Sequence, residues 1–169
     1  GFRQIKEMNF TKDILWRKKI LRKIEANYHK HPNFEEVINV IELLIMNEES
    51  NIVEFNIKSI STIMECLDLD IKKLKKSSDF KISGNPNVRN GELTKIVGGD
   101  IYLSGDGAES YQDESILSEM GIRIEYQKFM SPVYSQSGQN KFIPGLSIVD
   151  AAMNLGWKNT RKLVLMDNN

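Results

Sequence analysis

A short segment near the C-terminus combines an apolar helix pattern with polar residues at regular spacing. A helix is predicted from Ser147 to Asn154, where most of the neighbouring residues are apolar. Ser147, Asp150 and Asn154 are three and four positions apart, so they share one helix face, and Ser147 and Asn154 are candidate ligand-binding residues there. Asp150 is the candidate general base or hydroxyl anchor, because it is a carboxylate set in an apolar helix. As alternatives, Ser147 and Asp150 could form a capping box, and Asn154 could form the helix stop with Gly156.

A second candidate ligand site follows a predicted strand at residues 100–103. The loop Ser104-Gly105-Asp106-Gly107 lies at the carboxyl end of this strand and leads into a helix predicted at 109–120. Such positions favour phosphate groups, whereas Asp106 suits sugar hydroxyls or a metal-bridged diphosphate. A plain turn is the alternative. The candidate ligand-binding residues are Tyr102, Ser104, Gly105, Asp106 and Tyr111.

A long loop of aromatic and amide residues connects the last predicted strand to the helix that contains Asp150. It spans residues 129–144 and contains Tyr134, Gln136 and Phe142. Aromatic faces with a few amide groups suit a nucleobase or a sugar ring, so Tyr134 and Gln136 are candidates for orienting a ligand. The alternative is an Ω-loop that packs on its own aromatic residues.

Three amphipathic helices are predicted before these segments. The first begins near Asp13, with a solvent face that is assigned Arg17, Lys18, Lys19, Arg22 and Lys23. Tyr28 belongs to its apolar stripe. The second helix begins near Pro32, and Asn51 caps a third that runs to about Leu67.

The pattern predicts a helix-rich α/β fold. A strand at 122–127 alternates apolar and polar residues, and with the strand at 100–103 and the intervening helix it forms a right-handed βαβ unit at about 101–127. A basic strand at 71–76 is also expected. The sequence predicts a single domain over 1–169, with a helical part at 13–68 and an α/β part at 71–169.

Composition narrows the function classes. The 169 residues are 40% hydrophobic and carry 23 basic against 23 acidic side chains, so no global field favours nucleic acid. Cys66 is the only cysteine, which excludes an intrachain disulfide and favours a reducing, cytoplasmic compartment. No apolar run reaches the length of a membrane span. No metal site is expected, no particular cofactor is indicated, and a homo-oligomer remains open.

From Trp16 onward the chain resembles the WbqC family, whose members are encoded in bacterial O-antigen and other surface-polysaccharide gene clusters. The resemblance is carried, in order, by WRKKILRKIEANYHKHPNF, KKSSDF, DIYLSGDGAESY, GIRIEYQKF, PVYSQ and FIPGLSIVDAAMNLG. The family brings no established reaction with it, so the resemblance implies a pathway and not a mechanism.

The chain departs from the family pattern in three places. Met130 and Ser131 stand where the family has histidine before PVY, and Met153 to Gly156 replace its usual Phe-Asn-Cys-Gly. The family's N-terminal strand with a Tyr-Leu-Pro-Trp element is absent. Together with a first residue other than methionine, this predicts a chain that is incomplete at the N-terminus.

The resemblance and the candidate residues lead to three functional hypotheses. The first is a cytoplasmic group transferase of surface-polysaccharide biosynthesis that binds a nucleotide sugar or an amino sugar, with Asp150 as its catalytic residue. The second is a ligand-binding module without chemistry. The third is a helical interaction domain whose basic first helix meets a partner protein or a membrane surface.

Overall fold

The computed structural model describes residues 3–108, 112–138 and 141–166. Within these residues the chain forms six α-helices and one two-stranded parallel sheet. The helices are α1 (Leu15–Tyr28), α2 (Phe34–Ile45), α3 (Ile52–Cys66), α4 (Pro86–Ile96), α5 (Glu114–Glu119) and α6 (Ile148–Val164), and the strands are β1 (Ile101–Gly105) and β2 (Arg123–Gln127). The prediction of a helix-rich α/β fold is confirmed.

The described residues divide into two compact units. Residues 3–73 and 131–166 form the first unit, so α6 joins the N-terminal helices; residues 74–130 form the second. This division rests on contacts within the folded chain and does not test whether the whole chain folds together, so the single domain stays a prediction. No helix in the described ranges has both the length and the apolarity that crossing a membrane requires.

The first unit is built around apolar stripes of α1, α2 and α6. Val37 and Ile41 of α2 pack with Ala152 and Met153 of α6 and with Leu67 after α3. Asn51 caps α3 as predicted, because its side chain accepts hydrogen bonds from the backbone N–H groups of Val53 and Glu54 at 2.9 and 3.2 Å. The helical periodicity of the sequence therefore identified the elements that position Asp150.

Arg17 departs from the prediction, which placed it on the solvent face of α1. Its side chain is buried, and its guanidinium donates to the carbonyl oxygens of Ile45, Asn47 and Glu49. These carbonyls lie at and beyond the C-terminal end of α2, where helix carbonyls lack partners. The guanidinium also stacks over three aromatic rings, those of Phe10, Trp16 and Phe55. The buried guanidinium therefore donates to carbonyl oxygens that have no partner within α2, and these oxygens and the aromatic rings offset the cost of burying its charge.

The second unit contains the predicted βαβ crossover. β1 and β2 are parallel, with Ile101 opposite Arg123 and Gly105 opposite Gln127. Leu117 of α5 is fully buried in this unit. Gly91 of α4 packs closely against Met120, since a Cβ at position 91 would lie 2.6 Å from its sulfur. The glycine thus allows close packing between α4 and the residue that caps the C-terminal end of α5.

Several predicted boundaries are wrong. Ile71–Lys73 is a 3₁₀ turn and not the start of a strand. β1 extends to Gly105, so Ser104 and Gly105 belong to the strand and not to the loop, and Asp106–Ala108 is a 3₁₀ turn. α5 begins at Glu114, several residues later than predicted, with Asp113 as its N-cap. The helix predicted to end at Asn154 is followed, after a kink at Gly156, by a second helical segment that runs to Val164.

Gly156 breaks the helical conformation within α6 and joins two helical segments at a kink. Its φ is 73° and its ψ is 164°, a combination that is essentially restricted to glycine. A Cβ there would lie 3.0 Å from Oδ1 of Asn33. Asn33 in turn donates from its backbone N–H to the carbonyl oxygen of Met153 at 3.1 Å, which links the start of α2 to α6.

We expect Gly156→Ala to lower the free energy of unfolding by about 2 kcal/mol, because it adds backbone strain and a close contact with Asn33. Urea unfolding followed by circular dichroism measures the effect. Gly105→Ala is the matched control, since a Cβ at that position meets nothing within 4 Å. Equal stability of the two variants would show that the kink at Gly156 carries no strain.

Candidate functional site

Asp150 lies at the centre of a hydrogen-bonded cluster in the first unit. Its carboxylate is buried at 5% exposure in the first turn of α6. Oδ1 accepts from the hydroxyl of Tyr28 at 3.0 Å, and Oδ2 accepts from the hydroxyl of Tyr134 at 2.7 Å and from Nε2 of Gln136 at 3.3 Å. Residues from α1, from the 131–138 segment and from α6 therefore meet at one carboxylate. We call Tyr28, Tyr134, Gln136 and Asp150 the Asp150 cluster.

The segment that carries Tyr134 and Gln136 is held in place by its own contacts. Gln136 exchanges two hydrogen bonds with the backbone of Ile143, donating from Nε2 at 3.0 Å and accepting at Oε1 at 2.8 Å. The ring of Tyr134 packs edge-on against Phe142, with centroids 5.4 Å apart. The residues predicted to orient a ligand, Tyr134 and Gln136, are therefore also residues that hold the loop together, as the Ω-loop alternative requires.

Asn154 ties the same segment to α6. Its Nδ2 donates to the carbonyl oxygen of Asp150 at 2.8 Å, and its Oδ1 accepts from the backbone N–H of Ser137 at 2.7 Å. Both ends of the buried amide are therefore satisfied within the protein. Ser147 is the N-cap of α6, and its Oγ accepts from the N–H of Val149 at 3.3 Å.

The tyrosine hydroxyls of the cluster are donors that stay protonated. Burial, followed by the hydrogen bond to Asp150 and its charge, raises the pKa of Tyr28 from its usual value near 10 to about 12. The pKa of Tyr134 is also raised, chiefly by burial and then by the hydrogen bond to Asp150, while a hydrogen bond with Gln136 opposes this. At neutral pH neither phenol can serve as a base, which leaves Asp150 as the proton acceptor of the cluster.

The raised pKa of Tyr28 predicts a loss of stability in alkali. A phenol whose pKa is higher in the folded than in the unfolded state stabilises the fold below the unfolded pKa, and this contribution disappears as the pH rises. For Tyr28 the loss falls between about pH 10 and about pH 12. We expect Tyr28→Phe to remove this part of the pH dependence, as measured by urea unfolding across that range. An identical alkaline slope in the variant would contradict the assignment.

The candidate residues of the predicted glycine loop belong to the second unit. Tyr102 lies on β1 and is partly exposed, and Gly105 ends the strand in an exposed position. Ser104 is buried and its Oγ donates to Oε1 of Gln112 at 3.1 Å. Asp106 begins the 3₁₀ turn, and Tyr111 lies outside the described residues. The described candidates on β1 and in the turn after it therefore belong to the second unit. The other described candidates belong to the first unit: Tyr134, Gln136, Ser147, Asp150 and Asn154.

Two other chemistries receive no support from the described residues. Burial, and then the charge of Glu65, raises the pKa of the Cys66 thiol, which disfavours the nucleophilic thiolate. Within residues 3–108, 112–138 and 141–166, no three His, Cys, Asp or Glu side chains are grouped so that they could hold a metal ion.

Tyr28 is the member of the Asp150 cluster that sequence reasoning missed. It was assigned to the apolar stripe of α1, and 122 positions separate it from its partner Asp150. The one available signal was a hydroxyl-bearing residue in an otherwise aliphatic stripe. That signal indicates that a partner is needed, but it does not identify the partner.

Comparison with known proteins gives a family and a distant relative. An uncharacterised protein of Mycobacterium tuberculosis is 25% identical over 142 residues, which are 83% of this chain and 61% of the relative. The chain therefore spans less than two thirds of that relative. No solved structure shows significant similarity to the chain. The sequence profile of the WbqC-like protein family matches residues 1–162. The chain belongs to the WbqC-like protein family.

Proposed function

We propose that this chain acts in surface-polysaccharide biosynthesis by binding a nucleotide-linked sugar or an amino sugar at the Asp150 cluster, where it supports transfer of a group to that sugar. The observation that carries the proposal is the convergence of Tyr28, Tyr134 and Gln136 on one buried carboxylate. Family membership supplies the biological context.

The cluster has the chemical groups that sugar recognition requires. A carboxylate accepts hydrogen bonds from sugar hydroxyls, and tyrosine rings offer apolar faces with a polar end. Tyr28, Tyr134, Gln136 and Phe142 are each partly exposed, so the buried carboxylate lies beneath side chains that solvent reaches. A sugar hydroxyl that replaced one of the present donors would occupy a site that already binds hydroxyl groups.

In the transfer step Asp150 would act as the general base. A carboxylate that accepts the proton of a bound sugar hydroxyl frees that hydroxyl oxygen to attack the group to be transferred. The bond between this group and its carrier breaks as the new bond forms, and the carrier leaves with the electron pair. Tyr28 and Tyr134 would remain protonated and hold the carboxylate in position, because the pKa of each phenol is raised. Asp150 would thus accept the proton, and its neighbours would hold it in position.

A binding or structural module without chemistry is the second candidate. It is favoured by the internal hydrogen bonds of Asp150 and Asn154, whose side chains are occupied by groups of the protein itself. In this case the cluster would fix α1, α6 and the segment between residues 131 and 138, and Asp150 would accept no proton.

A thermal-shift screen against nucleotides and nucleotide sugars tests the proposal. A ligand at one hundred times its dissociation constant stabilises the folded state by about 2.7 kcal/mol, which is seen as a shift of several degrees. We expect Asp150→Asn to lose the shift. Asp100→Asn, at an exposed aspartate of the second unit, is the control and should keep it. A shift that both variants retain would place the site elsewhere.

A further inference from the structure

We propose that the Asp150 cluster recognises a protonated amine, so that its ligand is an amino sugar and not a neutral one. The inference deepens the proposed function and rests on it, since it specifies the ligand of the same site. It depends on the charge of the cluster and on the nature of its donors.

The carboxylate of Asp150 has only neutral donors. Two are phenol hydroxyls and the third is a side-chain amide. In the described part of the chain, Arg123 pairs with Glu125 and Arg161 pairs with Asp68, and Asp150 takes part in neither ion pair. A buried carboxylate without a cationic partner is costly, and an ammonium group bound beside it would offset that cost.

The cluster also retains capacity for one more donor. A carboxylate offers about four acceptor positions, and the three protein donors leave one of them on Oδ1, which accepts from Tyr28 alone. The bond from Gln136 to Oδ2 is the longest of the three at 3.3 Å, and Gln136 has a second partner in Ile143. A ligand group could therefore approach either oxygen without leaving a protein donor unpaired.

Two of the three donors are aromatic side chains that pack against other rings. Tyr28 packs edge-on against His31 at 4.8 Å between centroids, and Tyr134 packs against Phe142 at 5.4 Å. A cation is attracted to the carboxylate itself. The opposite charge is disfavoured: a diphosphate placed against Asp150 would be repelled, so the sugar end and not the phosphate end of a nucleotide sugar suits this cluster.

Calorimetric titration with glucosamine and glucose tests the inference, because the two sugars differ by an amine in place of a hydroxyl. We expect glucosamine to bind roughly tenfold more tightly than glucose near neutral pH, and N-acetylglucosamine, whose amide is neutral, to resemble glucose. Asp150→Asn should abolish the difference between the two sugars. Asp100→Asn, at an exposed aspartate of the second unit, is the control and should preserve the preference. The comparison of glucosamine with N-acetylglucosamine uses the parent chain alone, so it tests the inference even where Asp150→Asn fails to fold.

The outcomes separate the inference from the proposed function. Equal binding of glucosamine and glucose, lost in Asp150→Asn, would overturn the amine preference and leave a sugar site at the cluster. Binding of a nucleotide sugar whose sugar lacks an amine, without binding of glucosamine, would have the same meaning. No binding of any of these compounds would overturn both proposals.

Discussion

Replacing Arg17 with methionine is expected to lower the free energy of unfolding by about 3 kcal/mol, as measured by urea denaturation. The guanidinium is 6% exposed and donates to the carbonyl oxygen of Ile45 at 2.6 Å, to that of Asn47, and to that of Glu49 at 3.3 Å. Methionine would fill much of the volume but leave these carbonyls without a donor. Hydrogen bonds from a charged group are worth more than neutral ones, which accounts for the size of the loss.

The aromatic surroundings make Arg17 hard to replace even by lysine. Its guanidinium carbon lies 4.7 Å from the ring centroid of Trp16 and 5.1 Å from that of Phe55. A planar group can stack on these rings while its edges donate to carbonyls, whereas an ammonium cannot do both. We therefore expect Arg17→Lys to recover only part of the stability.

Lys18→Met is the matched control for Arg17→Met, because the two residues are adjacent on α1 and Lys18 is exposed. We expect its stability to stay within about 0.5 kcal/mol of the parent chain. A loss below about 1 kcal/mol in Arg17→Met would mean that water replaces the guanidinium at the carbonyls.

Arg17 also shows which parts of the fold lie beyond single-sequence reasoning. Helix periodicity comes from residues three and four apart, so α1, α2 and α3 could be predicted from local pattern. The partners of Arg17 are 28 to 32 positions away. They are backbone carbonyls, which every residue has, so no residue type in the sequence marks them. A basic residue on a basic helix face gives no sign that it is buried.

The wrong strand at 71–76 has a related cause. The residue types of a short segment can suggest a strand, but a strand also needs a neighbouring strand to pair with. The sequence of the segment itself does not identify that neighbour. The strands of the βαβ unit were predicted because each had an apolar face and a helix of suitable length lay between them. Residues 71–76 had neither, and Ile71–Lys73 forms a 3₁₀ turn.

The site was predicted in part for a physical reason. Asp150 was selected because a carboxylate in an apolar helix must find partners, and it has them in Tyr28, Tyr134 and Gln136. Two of these partners were also candidates, since they lie in an aromatic loop next to the helix. Tyr28 was not, because contact between α1 and α6 depends on packing in three dimensions.

Replacing Asp150 with alanine is the second substitution with a large expected effect, a loss of about 3 kcal/mol in the free energy of unfolding. Three donors from two other segments lose their acceptor, and those segments lose their link to α6. Asp150→Asn keeps the shape and one carbonyl oxygen, so we expect a loss of about 1 kcal/mol. Urea unfolding of both variants measures the difference.

The two Asp150 variants separate a structural role from a functional one. If the charge serves only to hold the donors, removing it should weaken the coupling between position 150 and Tyr28, which a double-mutant cycle with Tyr28→Phe measures. If the charge is kept for a ligand, the loss of stability in Asp150→Asn should not exceed about 1 kcal/mol while ligand-induced stabilisation is lost, because an uncompensated buried charge is costly. In either case the pKa of Tyr28 should fall from about 12 toward its usual value: burial, the largest cause of the raised pKa, remains, but the hydrogen bond to the carboxylate and its charge are removed. A stable Asp150→Asn variant with an unchanged Tyr28 titration would show that the cluster does not exist as a charged unit in solution.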